Sequence, residues 1–225
     1  MLHSVERQLI EGPAGRIEIA FDWPTGAPRG VAYVGHPHPL YGGTMDNKVA
    51  ATLARTFAGL GWLAVRSNFR GVGASEGVHD EGHGETEDFV HIIDAVPSLP
   101  EVRARLASDL PLALAGFSFG SFVAARAARS LAARHHPVRH LVLVGAAAGK
   151  WAMPEVRRDT LVIHGEFDET IPLKDVFDWL RPHDIPVVVI PGADHFFHRR
   201  LSLLKALISG HILGVSAFDS PAQTL

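Results

Sequence analysis

Six short apolar runs constrain this chain more than anything else in it, because they are continuous where a half-exposed strand would alternate. They are Val31 to Gly35, Trp62 to Ser67, Leu112 to Gly116, Leu141 to Gly145, Thr160 to Gly165 and Val187 to Ile190. Such runs fit parallel strands buried on both faces. Amphipathic segments separate them. Val49, Leu53, Phe57 and Leu60 share one helical face, as do Phe89, Ile92, Ile93 and Val96. Phe122, Val123, Ala127 and Leu131 line a third, whose opposite side carries Arg126, Arg129 and Arg134. Pro172 suits the first turn of a helix bearing Val176, Trp179 and Leu180, and a last helix runs through Leu201, Leu204, Ile208 and Ile212. Ahead of these, Glu6 to Ile10 and Arg16 to Trp23 alternate apolar with polar, which predicts an antiparallel pair at one edge. The expected class is α/β, a mostly parallel, doubly wound sheet with helices on both faces and function at the carboxyl ends of the strands.

The 225 residues read as a single domain over residues 1–213, with residues 214–225 expected to form a flexible tail. A hydrophobic fraction of 47% with 20% charged residues marks a soluble globular chain. A net charge of −3, with basic residues scattered apart from a patch at Arg134 to Arg139, leaves no electrostatic footprint for nucleic acid. Cysteine is absent, which removes disulfides, thiol nucleophiles and thiolate metal sites. Met1 to Gly12 lacks a basic segment followed by an apolar run, and no stretch is apolar for long enough to span a bilayer. A cytoplasmic location with no membrane partner is the expectation.

Chemistry enters at Gly116-Phe117-Ser118-Phe119-Gly120, which follows an apolar run and opens an Ala-rich helical segment. A Ser between two such glycines on a strand-to-helix turn has its hydroxyl projected above the sheet. That hydroxyl is a poor nucleophile without a base, and the base needs an orienting acid. Two later strand ends supply both in order. Gly165-Glu166-Phe167-Asp168-Glu169-Thr170-Ile171-Pro172 follows one, and Pro191-Gly192-Ala193-Asp194-His195-Phe196-Phe197-His198 follows the other.

These three motifs resemble those of the α/β-hydrolase superfamily, and the chain most resembles its small, lid-less, esterase-like or dienelactone-hydrolase-like bacterial members. The resemblance spans roughly Val31 to Leu207. It implies an α/β-hydrolase fold without a cap domain, since only Ala146 to Asp159 separates the two strands between which many relatives insert one. It implies Ser118 as nucleophile, Asp168 as acid and His195 as base, with no cofactor. Glu166 and Glu169 flank the acid and are its rivals. Asp194 is expected to cap the last helix, His198 to lie exposed on it, and His164 to be a satisfied core histidine. Dienelactone hydrolases proper use Cys, so their substrate is not carried over.

The fold also implies an oxyanion hole of backbone N–H groups, one from Phe119 and one from the loop His36-Pro37-His38-Pro39-Leu40-Tyr41. Pro37 and Pro39 have no N–H, which makes His38 the natural donor, with Leu40 or Tyr41 as alternatives. Leu40, Tyr41, Phe117 and Phe196 are expected to line an apolar substrate pocket. The loop Asn68 to Ser75 has glycines at the wrong spacing for phosphate and is read as a brace for the Ser118 turn. The expected activity is hydrolysis of small to medium carboxylic esters through an acyl-enzyme, with a small-molecule ester and water as partners. The alternatives are a non-catalytic binding protein of the same fold, and thioester or amide hydrolysis by the same three residues. A metal enzyme is disfavoured. His79 and His83 sit among glycines, His36 and His38 diverge on an extended loop, and His135, His136 and His140 lie among arginines.

Overall fold

A computed structural model of the chain describes residues 5–218, with side chains to residue 215. Its eight strands form one sheet in the order β1-β2-β4-β3-β5-β6-β7-β8. They are β1 (Val5–Ile10), β2 (Ile17–Asp22), β3 (Val31–Gly35), β4 (Leu63–Ser67), β5 (Leu112–Phe117), β6 (Val138–Val144), β7 (Leu161–Gly165) and β8 (Val187–Ile190). The β1–β2 and β2–β4 pairings are antiparallel and every other pairing is parallel, so the alternating lead-in pair does lie at one edge. Helices α1 (Lys48–Gly59), α2 (His83–Ala95), α3 (Pro100–Arg103), α4 (Phe119–Ala133), α5 (Leu173–Leu180) and α6 (Leu201–Phe218) complete the fold.

The period of two in each strand explains the two helix layers. On β5, Leu112 and Leu114 face one way, joining Phe89, Ile92, Val123 and Val176 of α2, α4 and α5 in one apolar cluster. Ala113, Ala115 and Phe117 face the other, joining Val49, Leu53 and Phe57 of α1 and Leu204, Ile208 and Ile212 of α6. Burial on both sides is what the continuous apolar runs encode. Among the described residues, no helix is long and apolar enough to cross a membrane.

Most strand ends fall within one residue of the sequence reading, and the helix and strand boundaries that differ for a physical reason are the following. Strand β6 starts at Val138, three residues early, because Val138 pairs with Leu112 across an irregularity in register. Pro172 caps α5 from outside, with Leu173 as its first residue. Helix α6 begins only at Leu201, because His195 to Arg200 form turns in which Phe197 and Arg199 take positive φ. The same helix continues through residues 214–218, where a tail was expected, because Gly214 does not interrupt it; the remainder of that expected tail, 219–225, lies outside the described residues. The connection from β6 to β7 is residues 145–160 and holds no cap domain.

Candidate active site

The Ser118 turn is built by close backbone approach. A Cβ on Gly116 would strike the carbonyl of Gly120 and come within 2.6 Å of the Ser121 nitrogen. One on Gly120 would strike the Gly35 carbonyl and come within 2.6 Å of the His36 oxygen. Only glycine lets strand β5 and helix α4 meet this tightly against β3. Between them Ser118 takes φ 55° and ψ −123°, a torsion pair that non-glycine residues rarely adopt. The Ser118 N–H donates to the Val144 carbonyl at 2.9 Å, and Ser121 Oγ–H donates to the Ser118 carbonyl at 2.5 Å, which locks the turn.

Three side chains from three loops converge there. Ser118 Oγ lies 3.0 Å from His195 Nε2, and His195 Nδ1 lies 2.7 Å from Asp168 Oδ2. With the carboxylate facing Nδ1, that nitrogen carries the ring proton, and Nε2 offers its lone pair to the Ser118 hydroxyl. The other carboxylate oxygen, Oδ1, accepts the N–H groups of Thr170 at 3.0 Å and Ile171 at 2.7 Å. Ser118 is 8% exposed and His195 5%, so the group is recessed rather than flush with the surface.

The flanking candidates fall elsewhere. Glu166 Oε2 accepts the Gly192 N–H at 2.8 Å, tying the loop after β7 to the loop after β8. Asp194 does not cap α6; its carboxylate takes the His198 N–H at 3.0 Å and faces His198 Nδ1 at 2.6 Å, because the intervening turns postpone the helix. His198 is exposed, as expected, but on a turn. His164 is fully buried and only half satisfied. Its Nε2 meets the Ile171 carbonyl at 2.9 Å, while Nδ1 has no partner.

On the other side of Ser118, the loop after β3 forms a single 3-10 turn, Pro39–Tyr41. The Leu40 N–H donates to His38 Nδ1 at 3.2 Å, and the Tyr41 N–H donates to the His38 carbonyl at 3.2 Å. Both alternative donors are therefore engaged. The N–H groups of His38 and Phe119 have no acceptor among the described residues. Tyr41, 87% exposed, packs on His38 at 4.7 Å, and Phe196, 46% exposed, packs on His195 at 5.2 Å; Leu40 and Phe167 are exposed on the loops after β3 and β7. Phe117, expected in the pocket, is instead fully buried; strand parity turns it under the sheet, where its ring backs His195 at 4.9 Å. A cleft of about 470 Å³ opens beside Phe196, between Gly42 and Val49 on one wall and His198 and Leu201 on the other. A larger hollow of about 700 Å³ lies at the amino-terminal end of β6, against Ala128 and Ala132, away from these groups.

Two histidines that the motifs did not single out brace the site. His36 is fully buried; its Nδ1–H donates to the Pro37 carbonyl at 2.6 Å and its Nε2 accepts the Phe69 N–H at 2.9 Å. It thereby fastens the loop after β3 to the loop after β4, whose Arg70 forms a bidentate pair with Asp88 at 2.8 Å. His79 donates through Nδ1 to the buried Glu85 at 2.7 Å, and that carboxylate also accepts the N–H groups of Asp80 and Gly82. The His79 ring packs on His38 and Phe119 at 4.8 and 5.4 Å, so it supports both residues whose N–H groups are unengaged.

Burial drives His36 down from 6.5 to about 4, only partly opposed by its bond to Pro37. The sign follows directly. Below pH 6.5 the unfolded chain gains a proton that the folded chain refuses until about pH 4, so stability falls across that window. The expected loss is about 3 kcal/mol, from roughly 1.36 kcal/mol per pH unit. Urea unfolding at stepped pH should show it, with a shallower slope in His36→Gln.

The Thioesterase domain family model matches residues 63–167. A lid-less α/β serine hydrolase of Xanthomonas campestris is 32% identical and superposes with a TM-score of 0.81, covering 99% of this chain and 98% of its own. An α/β serine hydrolase homologue from Coxiella burnetii is 37% identical with a TM-score of 0.76, covering 91% and 95%. An uncharacterized Rickettsia prowazekii protein is 28% identical over 221 residues, 92% of this chain and 89% of that one. With that likeness running through fold and sequence over nearly the whole chain, the chain belongs to the α/β-hydrolase superfamily, as a homologue of its lid-less serine hydrolases.

Proposed function

We propose that the protein is a serine esterase that cleaves small to medium carboxylic esters through an acyl-enzyme. The observation that carries this reading is the unbroken line from Ser118 Oγ through His195 to Asp168, at 3.0 and 2.7 Å. Ser118 Oγ attacks the ester carbonyl carbon while its proton passes to His195 Nε2. Asp168 fixes the tautomer and stabilises the imidazolium. The carbonyl oxygen becomes an oxyanion held by the N–H groups of Phe119 and His38, each worth about 2.7–4 kcal/mol of barrier. Collapse expels the alcohol, which takes the proton from His195. Water, deprotonated by the same nitrogen, then attacks the acyl-enzyme, releases the acid and restores Ser118.

Exposed Tyr41 and Phe196, packed on His38 and His195, support an apolar acyl or alcohol group, and the cleft beside Phe196 gives it room without a lid. Thioester hydrolysis is a second reading, favoured by the match to the Thioesterase domain model. The deciding experiment is a panel of p-nitrophenyl esters of increasing acyl length, run beside thioester and amide substrates. Turnover of the short esters is expected; thioesters alone turning over would favour the second reading. No hydrolysis, with no labelling by a fluorophosphonate, would mark a binding protein. His195→Ala should cost about as much as loss of the nucleophile, of order 10⁶ in kcat. His198→Ala, at the surface, should stay within about twofold. The reverse outcome would make His198 the base.

A further inference from the structure

Asp168 Oδ2, the oxygen that holds His195, has a second imidazole beside it. His164 Nε2 lies 3.3 Å from Oδ2 and 2.9 Å from the Ile171 carbonyl. Both neighbours are acceptors, so Nε2 carries the proton, and the unpartnered Nδ1 is left as a buried lone pair. The side chains of His164 and Asp168 are both fully buried, which strengthens a charge-dipole contact at this distance. The remaining oxygen, Oδ1, is saturated by Thr170 and Ile171. An apolar residue at 164 would have filled the strand end without leaving a buried nitrogen unmatched.

We propose that His164 is a positioning residue for the hydrolytic reaction. By sharing its Nε2–H between Asp168 Oδ2 and the Ile171 carbonyl, it limits how strongly the acid favours the imidazolium of His195 and fixes the carboxylate plane. The inference rests on the esterase reading for its kinetic readout, though not for its spectroscopic one. Among the described residues, the ionisable groups in contact within this array are His164 from β7, Asp168 from the loop after it and His195 from the loop after β8; on the same two loops, Glu166 is bonded to the Gly192 N–H and Asp194 pairs with His198. Burial keeps His164 itself below the usual imidazole range, which favours its neutral ring.

The sign is fixed by the charge. Without the N–H of His164, the carboxylate is less compensated, His195 holds its proton to higher pH, and the base is lost sooner on acidification. In His164→Leu the acid limb of kcat/KM should therefore move up by about 0.5–1 pH unit. His164→Gln, which returns an N–H donor, should bring it back. A merely structural residue would lower the rate and leave the limb in place. The same displacement should appear in the ¹³C–¹H titration of His195, with no substrate present. An enzyme inert to esters would thus overturn the esterase reading, while the titration still decides this one. Identical His195 titrations in wild type and His164→Leu would overturn the proposal. If the Leu variant does not fold, the wild-type ring decides. Its ¹⁵N shifts should report a neutral Nε2–H form across roughly pH 5 to 8, and an Nδ1–H or doubly protonated ring would overturn the role.

Discussion

Ser118→Ala should retain the fold and lose nearly all turnover, a drop of order 10⁶ in kcat. The methyl group fits because, among the described residues, the hydroxyl contacts only His195, and the turn is held by the N–H groups of Ser118 and Ser121 and by the Ser121 hydroxyl. KM should change little, since the hydroxyl acts on the reacting carbon and not on the rest of the substrate. Residual hydrolysis above the rate in water should persist, because the N–H groups of Phe119 and His38 remain. Fluorophosphonate labelling, expected in wild type, should vanish. A variant that hydrolyses p-nitrophenyl acetate at the wild-type rate would refute the proposed chemistry.

The second large effect falls on stability. Gly120→Ala places a methyl group against the backbone of Gly35 and His36, where neither neighbour can yield as a side-chain end would. The expected cost is about 3 kcal/mol, the upper end of overpacking penalties, or roughly 6–12 °C in Tm for a chain of this size. Activity should fall with it, since the Ser118 turn is the structure displaced. Gly210→Ala is the control. It lies on the exposed side of α6 with nothing within 4 Å of its would-be Cβ, and should raise stability by about 0.5–1 kcal/mol. Equal melting temperatures for Gly120→Ala and wild type would refute the close-approach account.

Much of the fold is written plainly in the residues. Burial on both sheet faces leaves no room for polar alternation, so β3 and β5 appear as uninterrupted runs and β7 is broken only by His164, while edge strand β8 is apolar but only partly buried. The start of β6 is less plain because Arg139 and His140 break the run although His140 is buried. The onset of α6 is hidden for another reason. Nothing in Phe197 or Arg199 announces a positive φ, and those two torsions delay the helix. For the site, Ser118, Asp168 and His195 were legible because each follows a strand end in a fixed order. The orientation of Phe117 was available too, since it shares the parity of Ala113 and Ala115 and must turn under the sheet with them. The His79–Glu85 pair had no such signal. Its members sit six residues apart, His79 in a glycine-rich loop and Glu85 in the first turn of α2, and only the folded backbone brings them together. His164 likewise looks like any core histidine until the turn after β7 returns Ile171 and Asp168 to it.

The torsion pair at position 118 has an evolutionary corollary. A side chain held at φ 55° carries a penalty of about 1–3 kcal/mol that a glycine would largely escape. Selection for heat tolerance and selection for turnover therefore pull this single codon in opposite directions. A descendant that abandoned hydrolysis would find one of its easiest gains in robustness at the very residue its ancestor could least spare.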